Sequence, residues 1–257
     1  MKDEYYSFIE KINRKVGIDL SLYKETQMKR RITTLRDKRG FNSFTSYYNA
    51  LIQENDLLEE FIDRLTINVS EFYRNPKRWE VLQNTIFPLL IRNGGTLKIW
   101  SAACSTGDEP YSLAIMLKER FPNINATILA TDLDENVLSK AKEGKYEEQA
   151  LKDLPKPYLN KYFTKDGNGY RVDPSLKQLI TFKKHNLLAD KYPDNIDLIV
   201  CRNVLIYFTD EAKDTIYQNF SNALKLGGVL FVGSTEQIFN PNKYSFKLID
   251  TFFYQKD

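Results

Sequence analysis

The stretch LKIWSAACSTGDEPYS, residues 97 to 112, runs from an apolar strand pattern into a loop of small residues that closes on Asp108, Glu109 and a proline. Two acids are a poor cradle for phosphate. The loop has only Gly107, lacks the G-x-G-x-x-G spacing that lets backbone approach a pyrophosphate, and carries no P-loop lysine. Carboxylates at this place attract a cation instead. S-adenosylmethionine meets that requirement, with a sulfonium, an α-ammonium and no phosphate. Asp132, in ILATDLDE, follows the next strand, where an acid can accept hydrogen bonds from both ribose hydroxyls. Taken singly, Asp132 or Asp134 could instead cap a helix, and Glu109 could be a first-turn acid favoured by the helix dipole. Together, on consecutive strands, they favour the cofactor.

Other chemistries are excluded by what is missing. The sequence has one histidine, His185, and two cysteines, Cys104 and Cys201, so no structural zinc set and no His pair exists. G-x-S-x-G and G-x-x-x-x-G-K-[ST] are absent, which argues against a nucleophile elbow and a P-loop NTPase. The cysteines sit in apolar surroundings and read as core residues of a reduced, cytoplasmic protein. The opening MKDEYYSFIEKINRK does not read as a signal peptide, and no apolar run is long enough to span a bilayer. With 37 basic and 34 acidic residues the net charge is only +3, unlike a general nucleic-acid binder. At 42% hydrophobic residues over 257, a substantial core can form.

The elements that must hold these residues divide the chain in two. Residues 1 to about 92 read as helical. Tyr5, Phe8, Ile9, Ile12 and Val16 recur at helical spacing before Gly17; Met28, Ile32 and Leu35 line a second helix ending near Gly40; SFTSYYNALIQE and DLLEEFIDRL supply two more. Pro76 opens a single linking helix, which Gly94-Gly95 ends. Beyond it, apolar strands (LKIWSA, ATILATD, IDLIVCRN, GGVLFVGS) alternate with helical segments, which implies a parallel sheet covered on both faces. YSFKLIDTFFYQK reads as paired antiparallel strands, and KYFTKDGNGYRVD with QLITFKKH as a small antiparallel insert around a Gly-Asn-Gly turn. The expected domains are a helical recognition domain at 1–75, a linker helix at 76–95, and an α/β catalytic domain at 96–257 with a β-subdomain at about 145–185.

The sequence resembles the chemotaxis receptor glutamate methyltransferases, the CheR family. The matching stretches are TINVSEFYRNP, IWSAACSTGDEPYSLA, ATDLDENVLSKAKEGKY, HNLL, DLIVCRNVLIYF and LKLGGVLFVGSTE, in family order from residue 66 to 236. The resemblance implies a class I S-adenosylmethionine-dependent methyltransferase with a Rossmann-like sheet. It implies methyl transfer to glutamate side chains on the cytoplasmic helices of methyl-accepting chemotaxis receptors, leaving glutamate 5-O-methyl esters and S-adenosylhomocysteine. By motif, the implied cofactor contacts are Asn68, Ser70, Arg74, Glu109, Asp132, Asn186, Leu187, Asn203 and Val204. Arg74 and Tyr207 are the positions implied near the transferable methyl. No metal is implied, and the protein is expected to act as a monomer.

The residues suit that reaction. A glutamate carboxylate, with a reference pKa of about 4.3, is already ionised at neutral pH and needs no general base. It needs desolvation and in-line placement. Arg74 could orient it through a charge-assisted bond, and Tyr207 could offer a hydroxyl. Plainer roles exist for each: Tyr207 could only pack, Arg74 could pair with an acid at the domain junction, and Asn203 could simply turn the chain. In the helical half, Lys24, Arg31 and Lys38 are spaced by seven along one flank of the second helix, and Lys29 and Arg36 line another. They are the expected receptor-binding residues, against the alternative of a solvated helix face. Acids at Glu25 and Asp37 interrupt them and no aromatic platform accompanies them, so nucleic acid is not expected as a partner. The hairpin turn TKDGNGYRV is short for the family's tail-binding subdomain, which points to docking without a tail anchor.

Overall fold

The computed structural model describes residues 4–65 and 70–257, Asn93 by its backbone. Four helices form the first half: α1 (Glu4–Val16), α2 (Glu25–Lys38), α3 (Phe44–Gln53) and α4 (Asn55–Leu65). Gly17 ends α1 at φ +73°, a left-handed conformation that an L side chain resists, and its N–H bonds the Asn13 carbonyl at 2.8 Å. Ser43 starts α3 by accepting the Ser46 N–H at 3.0 Å. The apolar faces meet around Phe8, Tyr47 and Phe61, whose rings lie 5.9 to 6.0 Å apart. This core is separate from those of the catalytic half.

The link is one continuous helical run, as expected, but not uniformly α. α5 (Pro76–Val81) widens into a π turn over Leu82–Ile86 before α6 (Phe87–Leu90). Pro88 accounts for this: it has no N–H to give and its ring crowds the carbonyl four residues back, so the ladder shifts register.

The second half contains β1 (Leu97–Ala102), α7 (Asp108–Arg120), β2 (Ala126–Asp132), α8 (Glu135–Glu143), β3 (Lys145–Glu147), α9 (Lys156–Tyr162), β4 (Phe163–Asp166), β5 (Gly169–Val172), α10 (Pro174–Lys177), β6 (Ile180–Lys184), β7 (Ile196–Cys201), α11 (Asp210–Ala223), β8 (Leu224–Val232), β9 (Phe246–Asp250) and β10 (Phe253–Lys256). The main sheet runs β6-β2-β1-β7-β8-β10-β9, parallel except where β10 runs against β8 and β9. This is a mostly parallel α/β sheet of the Rossmann-like kind that the sequence implied. Strand pleating sends Ile99, Leu198 and Val229 to one covered face and Trp100, Ile199 and Leu230 to the other. The strand order reverses between β1 and β7, which opens a crevice at their carboxyl ends.

The insert is smaller than the sequence suggested. β3, β5 and β4 form an antiparallel sheet with a two-residue turn at Gly167-Asn168, but QLITFKKH lies outside it. Its strand β6 pairs in parallel with β2, from Ile128 opposite Ile180 to Asp132 opposite Lys184. As the edge of the main sheet, β6 buries one side only, and that half-polar pattern mimics an antiparallel strand.

The halves are tied beside the crevice. Tyr23 and Phe208 form an antiparallel bridge flanked by two main-chain bonds of 2.9 Å, Lys24 N–H to the Tyr207 carbonyl and Thr209 N–H to the Leu22 carbonyl. Their rings meet edge to face at 4.8 Å, a geometry that adds about 0.5–1.5 kcal/mol beyond its buried area.

Candidate active site

A cleft of about 1040 Å³, open mouth included, occupies the crevice. Ser70, Arg74, Glu109, Asp132, Asn186, Leu187, Asn203, Val204 and Tyr207 all line it. Asn68 lies outside the described residues.

Its floor is the loop after β1. Ala103 and Ser105 adopt φ of +62° and +49°, and Gly107 +92°. Stitching to β2 holds this tight path: Cys104 N–H bonds the Thr131 carbonyl and Ser105 N–H bonds Asp132 Oδ2, both at 2.8 Å. Glycine is required at 107, since a Cβ there would sit 2.9 Å from the Cβ of Ala141 on α8.

The two acids of the opening motif part company. Asp108 is buried away from the cleft, where its Oδ2 accepts the Thr106 hydroxyl at 2.6 Å. Glu109 faces the cleft, accepting the Ser101 hydroxyl at 2.8 Å with Arg202 Nη1 3.7 Å from its other oxygen. Burial pushes the Glu109 carboxyl up and Arg202 opposes it. The two acids after β2 divide as well. Asp134 caps α8 by accepting the Asn136 N–H at 2.8 Å, which leaves Asp132 to the cleft. Burial raises the Asp132 pKa to about 6, against the pull of the Asp134 and Ser105 amides.

Two turns with left-handed residues bring Arg74 and Asn203 to the cleft. Tyr73 and Asn75, at φ +51° and +62°, flank Arg74. Its carbonyl accepts Trp79 Nε1 at 2.9 Å and Arg202 Nη2 at 2.8 Å. After β7, Asn203 turns the chain at φ +62°, and buried Glu236 accepts the N–H groups of Asn203, Leu205 and Gly233 at 2.6, 2.7 and 2.8 Å. Amide bonds to a charged acceptor are worth about 1.5–3 kcal/mol each; they oppose the burial of Glu236, which still raises its pKa. This fixed segment carries Val204 and Tyr207 to the cleft; burial raises the Tyr207 pKa, keeping a neutral hydroxyl. The Asn186 side-chain amide donates to the Gly17 carbonyl at 3.1 Å and accepts the Leu188 N–H at 2.9 Å.

The sequence reading missed Arg202, Glu236, Tyr23 and His185. Arg202 had a signal, a charge placed directly after a buried strand. Glu236 lay within a matched motif without a role. Tyr23 reaches the cleft from the helical domain, which no local pattern announces. His185 packs edge-on against Trp100 and Tyr192, and burial lowers its pKa, so it stays neutral.

The basic residues of α2 do not form one face. Lys24 and Lys38 are exposed. Lys29 Nζ lies 5.1 Å from the centre of the Tyr5 ring, and Arg36 pairs with Asp37 and covers the Phe44 ring at 4.6 Å. Arg31 donates to the Leu65 carbonyl at 2.6 Å and lies 5.6 Å from the centre of the Tyr207 ring. With a narrow apolar stripe, long basic side chains fold back over neighbouring aromatic rings. Among the described residues no group of acidic, histidine and cysteine side chains could hold a metal ion, and no helix is long and apolar enough to cross a membrane.

The cleft therefore pairs carboxylates that suit a cationic nucleoside with a cation and a neutral phenol that suit an acid side chain. Residues 68–253 match the family described as CheR methyltransferase, SAM binding domain, and residues 3–66 match the CheR methyltransferase all-alpha domain. A chemotaxis protein methyltransferase of Listeria innocua is 44% identical over 257 residues, covering 100% of this chain and 98% of the relative. That of Listeria monocytogenes is 43% identical with the same coverage, and that of Borreliella burgdorferi 37% identical over 92% of this chain and 89% of the relative. The chain belongs to the CheR family of S-adenosylmethionine-dependent chemotaxis methyltransferases.

Proposed function

We propose that this protein methylates glutamate side chains on the cytoplasmic helices of chemoreceptors, producing glutamate 5-O-methyl esters. The observation that carries the reading is the meeting of Arg74 and Tyr207 with Glu109 and Asp132 in one cleft. When bound, S-adenosylmethionine supplies a methyl activated by its sulfonium. Glu109 suits the α-ammonium and Asp132 the ribose hydroxyls, as acceptors for donors of those kinds. Arg74 draws the incoming carboxylate out of water and orients it, while the Tyr207 hydroxyl donates one further bond. Because the carboxylate arrives ionised, no side chain has to remove a proton. That agrees with a cleft whose one histidine is buried and neutral.

The test is radiolabelled methyl transfer from S-adenosylmethionine to a receptor cytoplasmic fragment, followed by mild alkali. Release of labelled methanol is expected from carboxyl methyl esters. Label that survives alkali would assign the methyl to nitrogen and refute the glutamate reading; cofactor binding without turnover would recast the protein as an adaptor.

A further inference from the structure

Arg202 is the least economical side chain in the cleft. It is 4% exposed, and its guanidinium lies 4.7 Å from the centre of the Phe231 ring and 5.7 Å from that of Trp79. Its Nε is buried with no acceptor. An orphaned donor and a desolvated cation are both costly, and an apolar side chain would fill the space more cheaply. What the guanidinium provides is a fork. One nitrogen lies 3.7 Å from Glu109 on α7, and another donates at 2.8 Å to the carbonyl of Arg74, which precedes α5. Ser112 of α7 also reaches that turn, accepting the Tyr73 N–H at 3.1 Å and donating to the Asp108 carbonyl at 2.7 Å, but Arg202 is the side chain that places a charge against both the Glu109 carboxylate and the Arg74 carbonyl.

We propose that Arg202 is a positioning residue for methyl transfer, fixing with one planar cation both the acid at the cofactor's amine end and the turn that carries Arg74. The proposal rests on the roles given above to Glu109 and Arg74. Its consequence is that cofactor affinity and turnover are coupled through Arg202 and separable by substitution. The charged or titratable groups facing Glu109 are Arg202, Glu236, Cys104 and Cys201. Arg202 favours the ionised carboxylate, with lesser help from the Ser101 hydroxyl, so its removal leaves Glu109 easier to protonate.

Wild type, Arg202→Lys and Arg202→Met are compared by calorimetric binding of S-adenosylhomocysteine between about pH 6 and 8 and by steady-state methylation of a receptor fragment. Lysine retains a cation beside Glu109 but cannot serve both sides. For Arg202→Lys, affinity is expected within about threefold of wild type while kcat falls roughly tenfold or more. Arg202→Met should bind roughly tenfold more weakly, with a deficit that deepens as pH falls. Should the methionine variant fail to fold, the split in Arg202→Lys decides alone. A lysine variant with wild-type kcat, or one losing affinity and kcat in parallel with its melting temperature, overturns the proposal. Wild type that fails to bind the nucleoside would overturn the cleft assignment beneath it as well.

Discussion

Strand ends and a helix surface offered charged residues of similar prominence, and the fold uses them differently. Glu109, Asp132 and Asn203 lie far apart in sequence: Glu109 starts the helix that follows β1, Asp132 is the last residue of β2, and Asn203 follows β7. Parallel pairing of β2, β1 and β7 brings those ends side by side, and all three residues line one cleft. On α2 the basic residues are close in sequence and regular in spacing, yet Lys29, Arg31 and Arg36 turn towards separate aromatic rings. A sheet focuses residues that follow its strands; a helix surface only distributes them. Strand-end charges in a parallel sheet therefore carry more functional information than a periodic charge stripe.

The sharpest way to break this contrast is Arg74→Ala. The turn around it is held by the residue's carbonyl, through Trp79 and Arg202, so alanine should preserve the fold. Turnover is expected to fall by about two to three orders of magnitude, the effect of removing one well-placed electrostatic contact. An unchanged melting curve with that loss supports focusing at the strand ends; an unaffected kcat contradicts it.

Asp132 gives a smaller, pH-dependent effect. Its carboxyl titrates at about 6 in the cofactor-free protein. The charged form accepts hydrogen bonds best, so nucleoside affinity should hold above that pH and weaken by up to about tenfold per unit below it. Asp132→Asn should cost about 1.5–3 kcal/mol of binding at neutral pH and flatten the profile. Calorimetry on the two proteins checks both; a variant whose affinity still falls with acid moves the dependence to another group.

Much of this was legible because it rests on local rules. Apolar runs marked the strands, and the missing glycines with the surplus acids marked a cationic ligand. Within ILATDLDE, Asp132 was assigned to the ribose by its place at the strand end, while either acid could have capped a helix; the start of α8, which recruits Asp134 as its cap, separates them. β6 was misassigned because an edge strand and a small-sheet strand share the same half-polar alternation. Glu236 was illegible as a site residue. Its function is to satisfy the amides of a turn 31 to 33 residues away, and such long-range pairing leaves no periodic trace.

Arg31 tests the boundary between the two regions, since it belongs to the helix but reaches the cleft. Arg31→Ala removes a cation from the Tyr207 ring and a donor from the Leu65 carbonyl. A cation–π contact is worth about 0.5–1 kcal/mol at a partly exposed site, so kcat should fall by a few fold. A receptor-docking residue would instead raise KM for the receptor and leave kcat alone, which steady-state kinetics distinguishes.

Lys38 marks the far end of the comparison. It is exposed in the last turn of α2, where a cation also complements the helix dipole. If it meets an acidic receptor at all, it does so in high dielectric, where one exposed pair is worth about 0.2–1 kcal/mol. Lys38→Glu reverses the charge and so roughly doubles the lever. KM for the receptor is then expected to rise by less than about tenfold at low salt and to approach wild type near 0.5 M salt, where the screening length is down to about 4 Å. Nucleoside affinity should not move. A loss of turnover comparable to that of Arg74→Ala would mean that the helix surface concentrates function as strongly as the strand ends do.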